Sequence, residues 1–198
     1  VVRLAVLASG SGTILQSLLD ADLPVVVVLS DRPCPALDRA RQAGVAAELV
    51  DRADWGGFGP GFDRLGYTKE VTAVLGRFQP DLVAMAGFGT VLDEPVHLAY
   101  GGRILNTHPA LLPAFPGWHG VEDALAAGVK VTGCTVHLAT LEMDAGPILA
   151  QEAVTVEEGD TVDRLHERIK AVERRLYPAT VRRALDDLAR GREPGGPR

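Results

Sequence analysis

Several things are scarce in this sequence, and each scarcity excludes something. Only two cysteines, Cys34 and Cys134, occur in 198 residues, far apart and without metal-type spacing. Neither a disulfide framework nor a metal centre is expected, and two free thiols in a reducing cytoplasm are. The formal net charge is −6; phosphate-backbone binding needs clustered Lys and Arg, so nucleic acid is excluded as a main partner. No uncharged apolar run approaches the roughly 18 residues that a bilayer span takes, so no membrane is expected either. The apolar start Val1–Ser9 lacks a charged leader region and flows into a glycine turn, which reads as a buried strand and not a signal peptide. There is no internal repeat. Hydrophobic residues, by contrast, make up 46% of the chain, enough for one well-buried core. A single domain is expected over 1–190, with 191–198 a disordered tail because Glu193-Pro-Gly-Gly-Pro-Arg198 offers nothing to a core.

Strand-like runs alternate with helical ones, the signature of an α/β fold with a mostly parallel, Rossmann-like central sheet and helices on both faces. Leu4–Ala8, Val25–Leu29, Ala46–Val50, Leu82–Ala86 and Arg103–Leu105 are the strand candidates; the first is a continuous apolar run suited to a strand buried on both faces. Helical spacing begins at Ile14, Leu15, Leu18 and Leu19, and returns over Ala36–Ala43, Tyr67–Phe78 and Glu122–Ala127. Trp55–Asp63, with four glycines and a proline, is a loop, read equally as a lid or a plain connector. In the C-terminal third, Val129–Thr140 and Ile148–Val156 suggest an antiparallel pair added to the sheet. Asp160 is the expected cap of a long amphipathic helix that Pro178 should kink or divide.

Three constellations can carry chemistry. Asn106 and His108, two positions apart, point the same way on an extended backbone, and an amide donor beside a titratable ring suits acyl-type chemistry. Ser9-Gly-Ser-Gly-Thr13 turns sharply between a strand and a helix, so free helical N–H groups face into it and can bind an anion without Lys or Arg. A monophosphate is the favoured occupant; a dinucleotide with Asp31 on its ribose and a purely structural turn stay open, although Leu15 stands where the dinucleotide fingerprint has its third glycine. Asp144, before Ala-Gly-Pro, is either a turn residue or a partner that would favour the charged form of His108 and let it donate a proton at neutral pH. His137, in an alternating strand pattern, faces the site or solvent, and His119 follows the site in a loop. His97 and His166 are expected on solvated helix surfaces, and Arg39 and Arg41 on a polar helix face.

Ala8-Ser-Gly-Ser-Gly-Thr13, Asn106-Thr-His-Pro-Ala-Leu-Leu-Pro113 and Gly133-Cys-Thr-Val-His137 followed by Asp144-Ala-Gly-Pro147 together resemble the folate-dependent phosphoribosylglycinamide formyltransferase family, in order and spacing, to about Arg190. The resemblance implies the formyltransferase fold and transfer of formyl from 10-formyltetrahydrofolate to the amine of glycinamide ribonucleotide, a step of purine synthesis in the cytoplasm, by a monomer or homodimer using no metal. It implies Asn106, His108 and Asp144 as the catalytic set, with His137 and His119 behind them. Gly12, Thr13 and Ile14 would take the phosphate and Glu173 the ribose. Arg64 would face the folate's glutamate tail, while Gly89, Thr90, Val91, Leu92, Asn106, Thr140, Leu141 and Asp144 would contact the folate, and Leu112–Pro113 would be cis. Ile14, Gly89, Thr90, Ala110, Leu138 and Leu141 depart from the family's usual residues without removing a catalytic group. A formyltetrahydrofolate hydrolase is the alternative, but that family carries a second His where Pro109 stands here. A tRNA formyltransferase would need a further RNA-binding domain, and a non-catalytic dinucleotide-binding module would leave Asn106, His108 and Asp144 without a task.

Overall fold

The computed structural model describes residues 2–196. Its centre is Leu4–Leu7 (β1), with every residue buried, as a strand covered on both faces requires. Thr13–Asp20 (α1), Val25–Ser30 (β2), Pro35–Gln42 (α2) and Ala46–Leu49 (β3) complete one wing. A short 3-10 turn at Arg52–Trp55 leads through the glycine-rich loop to Arg64–Phe78 (α3), Leu82–Met85 (β4), Glu94–Tyr100 (α4) and Ile104–His108 (β5). Gly120–Ala126 (α5), Val131–Leu138 (β6), Ile148–Thr155 (β7) and Val162–Ala189 (α6) close the chain.

The seven strands form one sheet in the order β3-β2-β1-β4-β5-β6-β7. The first five pair in parallel and β6 and β7 add on antiparallel, the C-terminal addition expected. α1, α2 and α6 pack one core against one face, through Leu15, Leu18, Tyr177 and Val181; α3 and α4 pack the other, through Tyr67, Val71, Leu75 and Val96. Strand order reverses between β1 and β4, so the loops after them splay into a crevice, the usual ligand site of open α/β sheets. The loops are tied across it: Ser9 N–H donates to the Gly87 carbonyl at 3.2 Å, and Gly89 N–H to Ser9 Oγ at 2.6 Å.

Five local expectations change. α3 starts at Arg64, because the Asp63 carboxylate accepts from Gly66 N–H and caps it. α4 is an element the apolar pattern does not reveal; Asp93 caps it and Pro95 opens it. Thr161, not Asp160, caps α6, since Asp160 is engaged by Arg168 and by Glu157 N–H. Pro178 does not divide α6: residues on both sides of it are packed into cores, and that packing outweighs one lost backbone hydrogen bond. Beyond α6, Arg192 N–H donates to the Asp187 carbonyl and Pro194 is buried, so residues 191–196 of the expected tail turn back onto the body; 197–198 lie outside the described residues.

Candidate active site

β5 has a parallel neighbour on one side and an antiparallel one on the other, and the site forms at that seam. Asn106 is opposite Met85 of β4 and opposite His137 of β6. The three side chains at this strand end therefore derive from pairing register, and a fourth comes from the turn between β6 and β7. There Gly146 lies against the Leu138 carbonyl with no room for a Cβ, which folds the turn back over β6. Asp144, with φ of 57°, is held in the left-handed region by that fold-back.

The Asp144 carboxylate sits between two imidazoles: Oδ2 is 3.5 Å from His108 Nδ1 and Oδ1 is 3.5 Å from His137 Nε2. Gly117 N–H also donates to Oδ2, at 2.7 Å. Burial pushes this carboxyl's pKa up, but the His137 hydrogen bond, the Gly117 N–H and the charges of His108 and His137 together hold it below the ordinary carboxylate value. On its far side His108 Nε2 donates to the Phe115 carbonyl at 2.7 Å, and His137 Nδ1 to the Leu138 carbonyl at 3.0 Å. Acceptors thus flank both nitrogens of His108 and fix the plane of the ring. The Asn106 amide lies 3.3 Å from His137 Nε2, which orients it. His108 and His137 are 4% and 1% exposed, so their reactive edges look only into the site.

These groups form one end of a cavity of about 380 Å³, whose floor is apolar, with Met85, Phe88, Leu92, Val96 and Ile104. Gly89, Thr90, Val91, Leu92, Thr140 and Leu141 line the same cavity, which brings them together with Asn106, His108, His137 and Asp144. His97 and His166, expected in solvent, line it as well, and burial lowers the pKa of each. Trp118 and Met143 complete the lining beside them. Arg64 is exposed at the first position of α3, outside the lining, and His119 is exposed, 4.0 Å from Glu122.

Behind the cavity runs a network that sequence reasoning missed. The Thr90 hydroxyl donates to buried Asp31 at 2.7 Å and accepts from Arg52 Nη1 at 3.0 Å. Arg32 binds Asp31 with two nitrogens, at 2.9 and 3.1 Å. Burial raises the Asp31 pKa, but the hydrogen bonds from Arg32, Thr90 and Ser9 more than offset it. Asp31 is consequently committed and has no free oxygen face to offer the ribose of a dinucleotide. A Cβ at Gly89 would meet Arg32 Nη2 at 2.5 Å, so a larger residue there would have to displace the guanidinium that binds Asp31. The Arg52 guanidinium is stacked between Phe58 and Phe62, 4.1 and 3.7 Å from their ring centres, and pins the glycine-rich loop through Gly57 O at 2.6 Å.

On the other side of β5, Gly12 turns with φ of 73° where a Cβ would meet Ala36 Cα at 2.9 Å. Among the described residues the N–H groups of Ser11, Gly12, Thr13 and Ile14 donate to no protein acceptor, the condition of an anion nest at the start of α1. Glu173 of α6 lies by the Thr107 hydroxyl; burial raises its carboxyl pKa and that hydroxyl moderates the rise. Cys134, next to Thr107, has its thiol pushed up to about 12 by burial and is chemically inert.

Residues 2–181 match the formyl transferase family, and the chain belongs to it. Within that class its resemblance is narrower. It is 52% identical over 184 residues to a phosphoribosylglycinamide formyltransferase of Mycobacterium tuberculosis, covering 90% of this chain and 83% of that one. The solved glycinamide ribonucleotide transformylase 1 of Symbiobacterium toebii superposes with a TM-score of 0.87 at 44% identity, over 93% of this chain and 88% of that one. A phosphoribosylglycinamide formyltransferase of Streptococcus pneumoniae gives 0.84 at 37% identity, over 92% and 98%.

Proposed function

We propose that this protein transfers the formyl group of 10-formyltetrahydrofolate to the primary amine of glycinamide ribonucleotide. The observation that carries the reading is the Asp144 carboxylate shared by His108 and His137 beside Asn106, at the polar end of an apolar cavity. The cavity suits a flat, partly apolar donor: Leu92, Val96 and Ile104 form the floor, and the backbone of 89–92 and 140–144 edges it. Asn106 donates to the formyl oxygen as negative charge develops there; one such donor is worth roughly 3 kcal/mol. His108, flanked by acceptors on both nitrogens, stabilises the same charge and supplies a proton to the folate nitrogen as its bond to the formyl carbon breaks. Asp144 orients that ring and steers the proton that the attacking amine loses as its bond to the formyl carbon forms. Buried His137 holds Asn106 and Asp144 in place. Gly12, Thr13 and Ile14 take the substrate phosphate, Glu173 the ribose hydroxyls, and Arg64, at the mouth of the glycine-rich loop, the donor's acidic tail.

The test is to incubate the protein with 10-formyltetrahydrofolate, with and without glycinamide ribonucleotide, and follow the folate product. Turnover that depends on the amine supports the transferase. Equal turnover without it points to the hydrolase, and none under either condition sinks the enzyme reading.

A further inference from the structure

The anion nest is braced from behind by α2. The Gly10 carbonyl accepts from Ala36 N–H at 3.2 Å and the Gly12 carbonyl from Gln16 N–H at 2.8 Å. Between them, the Ser11 carbonyl accepts from Arg39 Nε at 2.8 Å. In a planar trans peptide the N–H points away from its C=O. Three carbonyls held outward therefore turn the N–H groups of Ser11, Gly12 and Thr13 into the nest. Arg39 is further tied to Gln16 Oε1 at 3.1 Å, and its Cδ lies 2.9 Å from where a Gly12 Cβ would sit. Among the described residues Arg39 has no carboxylate partner. A full positive charge thus lies beside a row of unpaired N–H dipoles of the same sign. That arrangement favours an anion.

We infer that Arg39 is a positioning residue for the phosphate of the acceptor substrate. It holds the Ser11–Gly12 peptide so that the Gly12 N–H meets the phosphate, polarises that N–H through the carbonyl, and adds uncompensated charge behind the nest. The inference rests on the acceptor being a phosphorylated amine, as proposed above. Arg39 is remote from Asn106 and His108 in the sheet order, so it governs binding of the acceptor and leaves the chemical step alone.

The test uses the full chain with Arg39→Gln and Arg39→Lys. It measures steady-state constants, together with binding of ribose 5-phosphate by calorimetry without any donor. Arg39→Gln is expected to raise KM for glycinamide ribonucleotide about tenfold, with kcat and the donor's KM changed by less than about twofold. Ribose 5-phosphate affinity should fall by a similar factor and lose part of its salt dependence. Arg39→Lys, which keeps the charge but not the planar fork, should fall between. An Arg39→Gln protein with unchanged KM and unchanged ribose 5-phosphate affinity overturns the inference, as does a loss that falls on kcat. If wild-type protein shows no transferase turnover yet binds ribose 5-phosphate through Arg39, the proposed function fails and this inference stands.

Discussion

At the residue scale, Asp144 is the group on which most of the site depends, since it serves His108, His137 and the Gly117 N–H together. Asp144→Asn keeps its volume and removes its charge. The expected result is a loss of about 10²–10⁴ in kcat with the fold retained, read by steady-state rates beside circular dichroism. A near-normal rate would refute its role. Its pKa is depressed in the folded state, so the stability it contributes is present above the unfolded value of about 3.9 and disappears as pH falls through the folded one. Urea midpoints at pH 5 and pH 3 should therefore converge for Asp144→Asn more than for wild type. Glu173 has the opposite sign. Its raised pKa means that stability falls as pH climbs through the folded value, so Glu173→Gln should be more stable at neutral pH while binding the acceptor worse. A Glu173→Gln protein no more stable than wild type at neutral pH would contradict this. Asn106, His108 and Asp144 were legible in the sequence because short motifs with prolines and glycines mark them. Arg32, Arg39 and Arg52 were not, because their partners are distant carbonyls and carboxylates that no local pattern announces.

At the scale of elements, two devices hold the site's walls. One is the Arg52 clasp on the glycine-rich loop. Arg52→Ala removes the stack with Phe58 and Phe62 and the bond to Thr90, leaving the loop to move beside the donor cavity. A several-fold rise in the donor's KM, with the acceptor's KM unchanged, is the expected outcome; a change confined to the acceptor would exclude this role. The other is Tyr177 of α6, fully buried, whose hydroxyl lies 3.0 Å from both the Met85 carbonyl at the end of β4 and the Leu105 carbonyl near the start of β5. Tyr177→Phe leaves both carbonyls without this donor and should cost about 1–3 kcal/mol in urea unfolding, with the m-value unchanged. The long elements were readable from apolar spacing. α4 was not, since Glu94–Tyr100 is seven residues long and supports no period. The continuity of α6 through Pro178 was hidden too, because propensity says nothing of the packing on either side.

For the whole molecule, alternation of apolar runs was enough to give a parallel sheet with an antiparallel end, but not the strand order, which arises from crossovers over long stretches of chain. The order matters because it places β5 between β4 and β6. Leu105 and Val136 face one core while Asn106 and His137 meet on the opposite face. A slip of one residue of β6 along β5 would turn Val136 and His137 over, carrying the valine out of the core and the imidazole away from Asn106. The hydrophobic core thereby proofreads the active site: a chain that misaligns its chemistry also forfeits its burial, so catalytic competence on refolding should return together with the last of the native packing and never ahead of it.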